Sequence, residues 1–117
     1  MIYKAINIEI YSQIVHIIVS DDVEKEIDQI KKKFDVDLLR YNFRGFSEAR
    51  QNHSLLLLNK KYLKTEIDLM STLAHEIFHI TNFIFKRIGI KVDIENDEAQ
   101  AYLISLIFEK VLKIIKK

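Results

Sequence analysis

The sequence predicts a single α+β domain: about four strands in an antiparallel or mixed sheet, one helix between the strand pairs, and two packed helices after them. Three observations carry this. Ile6, Ile8 and Ile10 alternate with Asn7, Glu9 and Tyr11, a period of two that belongs to half-buried strands. Apolar residues after position 65 recur instead at helical spacing. At 117 residues the chain is long enough for one hydrophobic core and too short for a catalytic domain plus a separate substrate domain.

The elements follow in order. Residues 4–11 and 14–19 read as strands separated by Ser12-Gln13. Asp21-Asp22 opens a helix whose apolar positions are Val23, Ile27, Ile30 and Phe34. Residues 37–47 and 53–59 read as two further strands around a polar turn from Ser47 to Asn52, with Gly45 marking a bulge or bend. Thr65-Glu66-Ile67-Asp68 resembles a capping box, in which an acid at the third helical position satisfies free N–H groups. A long helix then runs to about Arg87, ended by Gly89. Asp93 or Asn96 caps a last helix reaching the C-terminal lysines, and the nearly all-apolar run from Ala101 to Phe108 predicts that much of it is buried.

Composition narrows the function classes. Hydrophobic residues make up 49% and charged residues 30%, ordinary globular usage. A formal net charge of +1 gives no bias toward nucleic acid or anionic lipid. Lys31-Lys32-Lys33 and Lys113 to Lys117 are short runs that suit solvated helix ends, so no nucleic-acid partner is expected. Charges interrupt every apolar stretch well before about 18 residues, and the alternating N-terminus is unlike a signal peptide. No membrane association is expected, and a cytoplasmic location is the default. The absence of cysteine excludes disulfides and thiolate metal sites, so a metal here must be held by His and carboxylate.

The long helix contains His75-Glu76-Ile77-Phe78-His79, an HExxH sequence. At about 100° per residue the two histidines sit roughly 40° apart, one turn above each other, so both imidazoles can converge on one zinc ion. Glu76 lies about 100° round from His75, badly placed as a ligand but near enough to act as base toward a water on that ion. Leu69, Leu73, Ile77, Ile80 and Ile84 cluster about 130° from the histidines, so one side of the helix can pack on the sheet while the other lines a cleft. With four His and nine Glu in 117 residues, a chance HExxH is expected roughly 0.01 times. The bland alternative is a surface helix with two histidines, or a buried pair bonded to carboxylates.

A catalytic zinc needs three protein ligands and one open position. Asp93, Glu95, Asp97 and Glu98 all follow the motif closely. Antiparallel packing of the last helix brings its first turns back toward the motif, and Glu98 is the expected third ligand, with Ala99 and Ala101 small enough for close approach. Glu95 is the second choice. Asp97 suits a helix-dipole role better, although as a fourth ligand it would close the site.

His75-Glu76-x-x-His79, followed by Asn96-Asp97-Glu98-Ala99-Gln100-Ala101-Tyr102-Leu103, resembles the gluzincin class of metallopeptidases, in which a glutamate from the next helix completes the zinc site. The spacing and size are similar to the minigluzincins and the ImmA/IrrE-like peptidase domains, whose E-x-x-A pattern falls on Glu98 and Ala101. The stretch from His75 to about Ser105 is most similar to small HExxH proteins of bacteriophages and their bacterial hosts. The resemblance covers roughly the last half of the chain and implies a minimal zincin-like domain. Tyr102 stands where larger gluzincins often carry an aspartate, so any group orienting the histidines must come from elsewhere.

The expected activity is therefore zinc-dependent peptide hydrolysis, with His75, His79 and Glu98 as metal ligands and Glu76 as general base and then acid. Tyr102, one turn after Glu98, is a candidate oxyanion donor, its ordinary role being an amphipathic residue at the helix seam. His16 reads as structural or exposed. His53 reads as solvent-facing, bordering the cleft only if its strand is the sheet edge. A peptide substrate could add as a strand to an edge within residues 41–50 or 53–59. The expected partner is a protein or peptide substrate of a monomer or small homo-oligomer in a bacterial cell or phage-infected host. The alternative is a non-catalytic zinc-binding domain used for protein interaction or as a virion or assembly component.

Overall fold

The computed structural model describes residues 1–116, with Asn96 described by its backbone alone. The elements run β1 (Ile2–Ile8), β2 (Gln13–Ser20), α1 (Val23–Lys33), β3 (Gly45–Arg50), β4 (His53–Asn59), α2 (Glu66–Ile88) and α3 (Glu98–Ile115), with short 3-10 turns at 9–11, 60–62 and 94–96. The architecture is α+β around one four-stranded mixed sheet of order β1-β2-β4-β3. β1 and β2 form an antiparallel hairpin, β4 lies parallel to β2, and β3 pairs antiparallel with β4.

Alternation along the strands sorts side chains into two cores. Val15, Ile17, Val19, Leu56 and Leu58 face Leu73, Ile77, Ile80 and Ile84 of α2 and Leu103, Ile107 and Val111 of α3. On the opposite face Ile18, Leu55 and Leu57 meet Val23 and Ile30 of α1 and Phe34 just after it. Central β4 is buried on both sides, which is why Leu55 to Leu58 is an unbroken apolar run.

The second strand pair differs from its sequence prediction. Residues 37–44 form no strand, and β3 instead takes in Ser47 to Arg50, where a polar turn was expected. The connection is the two-residue Gln51-Asn52, with Gln51 at the positive φ of 50° that so short a hairpin requires. Gly45 opens the strand because of its close neighbours, described below. α2 begins with the expected capping box: the Thr65 hydroxyl accepts from the Asp68 amide while the Asp68 carboxylate accepts from the Thr65 amide. It ends at Gly89, left-handed with φ of 80°.

α3 packs antiparallel to α2, with Gln100 donating to Asn82 near its start and Lys116 paired with Glu66 near its end. Its seam is formed by Gln100, Leu103, Ile107 and Val111, not by Ala99 and Ala101, which are exposed. The apolar run is thus buried on one stripe only, and Tyr102 and Leu106 lie outside it. Asp97 is the N-cap residue, Asp93 caps the preceding 3-10 turn, and the suggested Asn96 side-chain cap and Lys117 lie outside the described residues.

Candidate metal centre

The α2 residues divide as the 100° count demands. Leu73, Ile77, Ile80 and Ile84 are fully buried on the sheet. His75 and His79 point away from it, His75 with 66% of its side chain exposed and His79 half-buried. Their Nε2 atoms are 3.2 Å apart, with ring planes at 81° and centroids 4.7 Å apart. Two nitrogens bound at about 2.0–2.1 Å to a tetrahedral zinc ion stand about 3.3 Å from each other. The pair is therefore spaced as two ligands of one ion would be. Phe83 stacks on the His79 ring at 6.3 Å and 16°, and Phe78 meets it edge-on at 61°. Phe83, one turn beyond His79, was not singled out from the sequence, although its i+4 position was the signal.

Glu76 turns toward the sheet edge and is only 7% exposed. Its Oε1 accepts from the Ser47 hydroxyl at 2.8 Å, and its Oε2 lies 3.8 Å from His75 Nε2. Burying a carboxylate with so few donors is costly where an apolar side chain would pack, so stability alone does not account for this residue. Gly45 makes the approach sterically feasible. A Cβ there would stand 2.6 Å from Thr72 Cγ2, 3.0 Å from Glu76 Cγ and 3.4 Å from Glu76 Oε2.

Among the described residues β3 pairs with β4 alone, so its other side is a free sheet edge. The register and the bond from Asn59 N to Arg44 O fix which backbone groups face outward. Arg44, Phe46, Glu48 and Arg50 bond toward β4, leaving the N–H and C=O of Gly45, Ser47 and Ala49 on the open side. Gly45 and Ser47 are also the residues against Glu76, so edge and helix meet in a cleft of about 400 Å³ lined by Arg44, Gly45, Ser71, Thr72, His75 and Glu76. Arg44 pairs with Asp68 at 3.2 Å. The Lys64 amide above all, with the Thr65 amide and Arg44, holds the Asp68 carboxyl below the ordinary carboxylate range.

The remaining predicted site residues stand apart. Glu98 is the first residue of α3 and is exposed, as are Asp93, Glu95 and Asp97. Among the described residues no group of three or more His, Asp or Glu side chains is gathered as a metal site, so Glu98 is not brought onto the histidine pair. α3 nevertheless meets α2 through Gln100 and Asn82, two residues after Glu98 and three after His79. Tyr102 is 73% exposed, and no hydrogen bond or ring contact joins it to His75, Glu76 or His79 among the described residues.

The other two histidines form a second pair on the far face of the sheet. Tyr3 Oη meets His16 Nδ1 at 2.9 Å, and His16 Nε2 meets His53 Nδ1 at 2.9 Å, with Phe34 edge-on to His16. His53 is half-buried in this chain of contacts, not solvent-facing, and its strand is internal, so it does not border the HExxH cleft. Burial, then the neighbouring His53, lowers the pKa of His16. Diagonal placement on adjacent parallel strands brings the pair together. No local sequence signal links residues 37 apart.

In comparisons with protein-family models, curated proteins and solved structures, nothing matches this chain. Among the described residues no helix is long and apolar enough to cross a membrane.

Proposed function

We propose that this chain is a zinc-dependent peptidase, most simply an endopeptidase, in which His75 and His79 hold the ion and Glu76 is the general base. The observation that carries the reading is the joint geometry of the motif: two Nε2 atoms 3.2 Å apart and a buried carboxylate one residue along from His75, which lines the same cleft as that histidine. Zinc held there would acidify a water and polarise the carbonyl under attack.

The chain's own groups supply the rest. Ser47 holds Glu76 Oε1, which leaves Oε2 on the His75 side to take a proton from the attacking water and pass it to the departing amine. The outward N–H and C=O groups of Gly45, Ser47 and Ala49 can align an extended peptide as an added strand beside that carboxylate. Glu98 is proposed as third ligand because α3 meets α2 just beyond His79. Tyr102 is proposed as an oxyanion donor on its position one turn after Glu98. The proposed setting is the cytoplasm of a bacterium or phage-infected host, the substrate a protein or peptide, and the enzyme a monomer or small homo-oligomer.

The test is cleavage of a peptide mixture by the zinc-loaded chain, with Glu76→Gln as partner. Cleavage by wild type, lost in a Glu76→Gln variant that still holds zinc, supports the reading. No cleavage by either would count against it.

One observation favours a second reading. The third ligand is not gathered among the described residues, as suits a non-catalytic domain that uses the cleft or a bound ion for protein interaction or particle assembly. Zinc uptake without cleavage, together with stable incorporation into a larger particle, would select that reading.

A further inference from the structure

We propose that Arg44 is the anchor for a carboxylate on the substrate, so that the preferred substrate is an extended peptide with an acidic side chain about three residues from the bond cleaved. This inference rests on the peptidase reading above and adds a substrate class to it.

Among the described residues Arg44 is the one Lys or Arg side chain lining the cleft that contains His75 and Glu76. Its position is fixed at both ends. The Arg44 carbonyl accepts from the Asn59 amide, which pins its backbone at the start of the edge strand. Its guanidinium is held by Asp68 Oδ1, while the other oxygen of Asp68 accepts from the Lys64 and Thr65 amides at 3.0 and 3.2 Å. Asp68 is itself part of the α2 capping box, so the carboxylate facing Arg44 is held by backbone hydrogen bonds at its other oxygen.

The pairing leaves Arg44 free to bind. A guanidinium has five N–H donors in a planar fork, and a single carboxylate oxygen cannot engage them all. The side chain also keeps 55% of its surface exposed. A second carboxylate arriving along the cleft would meet an oriented, permanently charged fork, the geometry in which arginine binds carboxylates best.

The helix gives the distance. Asp68 and His75 are seven residues apart on α2, about 10.5 Å along its axis. An extended chain rises about 3.3–3.4 Å per residue, so about three residues span the same interval. A peptide laid along Gly45, Ser47 and Ala49, with its scissile carbonyl beside the histidines, therefore carries a side chain about three residues away to the guanidinium. A basic side chain at that position would meet like charge.

The experiment compares zinc-loaded wild type, Arg44→Gln and Arg44→Lys on a defined mixture of synthetic peptides, with cleavage sites read by mass spectrometry. kcat and KM are then measured on the best-cleaved peptide and on its counterpart with Glu or Asp replaced by the amide. The expected result is enrichment of acidic residues at one subsite and a preference of about 3- to 10-fold for the acidic peptide, mostly in KM. That preference should fall toward one in Arg44→Gln and return in part in Arg44→Lys. Cleavage without acidic enrichment, or an enrichment unchanged in Arg44→Gln, overturns this inference and leaves the peptidase reading standing. Failure of zinc-loaded wild type to cleave any peptide overturns both.

Discussion

The Ser47 hydroxyl donates to Glu76 Oε1 at 2.8 Å, linking the free sheet edge to the carboxylate of the HExxH helix. One residue on the edge strand thereby orients the carboxylate proposed as general base. Ser47→Ala leaves a buried carboxylate oxygen without its donor. The expected cost is about 1–3 kcal/mol of stability, read as a lower midpoint in urea unfolding. Peptide cleavage should fall on the order of 10-fold with zinc content unchanged.

Gly45 sets how closely β3 and α2 approach. In Gly45→Ala the new methyl would stand 2.6 Å from Thr72 Cγ2, so strand and helix must separate. Such overpacking costs about 1–3 kcal/mol, and the displacement should also disturb Glu76. Thr72→Ser removes the Cγ2 methyl. The double variant Gly45→Ala/Thr72→Ser is expected to recover more than half of the lost stability in thermal or urea unfolding. If the double variant is no more stable than Gly45→Ala alone, the contact with Thr72 is not the constraint.

The fold class, the α2 caps and the separation of the HExxH face from the core face were all legible in the sequence, because each depends on residues within one or two turns. Thr65, Asp68 and Gly89 are local signals, and so is the four-residue spacing of His75 and His79. The start of β3 was not legible. Whether Gly45 bends a strand or opens one depends on Thr72 and Glu76, 27 and 31 residues later. Nor was the face of α3 that packs, because a run as apolar as Ala101 to Phe108 gives almost every direction the same weight. The pairing of His16 with His53 required the parallel register of β2 and β4, which no periodicity reports.

That second pair makes stability depend on pH. Burial first, and His53 second, lower the pKa of His16 in the folded chain below its ordinary value near 6.5. Between the folded value and 6.5 the unfolded chain binds more protons at this position, so stability rises with pH through that window. The His16 contribution is fully present above about 6.5 and is lost as pH falls toward the folded pKa. In His53→Ala the neighbouring charge is gone, and the His16 pKa should move up toward its ordinary value. Histidine ring signals followed by NMR across pH 4.5 to 8 check this, and an unchanged His16 titration in His53→Ala would contradict it.

The proposed zinc site calls for elemental analysis of bound metal per folded chain, in wild type, His75→Ala, Glu76→Gln and Glu98→Gln. Exposed His75 contributes little packing, so His75→Ala should fold normally and bind no zinc. One zinc per chain is expected in wild type and in Glu76→Gln, none in His75→Ala, and retention weakened by about 10-fold or more in Glu98→Gln. Absence of zinc from folded wild type, even after zinc is added back, would rule out His75 and His79 as a zinc-binding pair. Full retention in Glu98→Gln would contradict only the choice of third ligand.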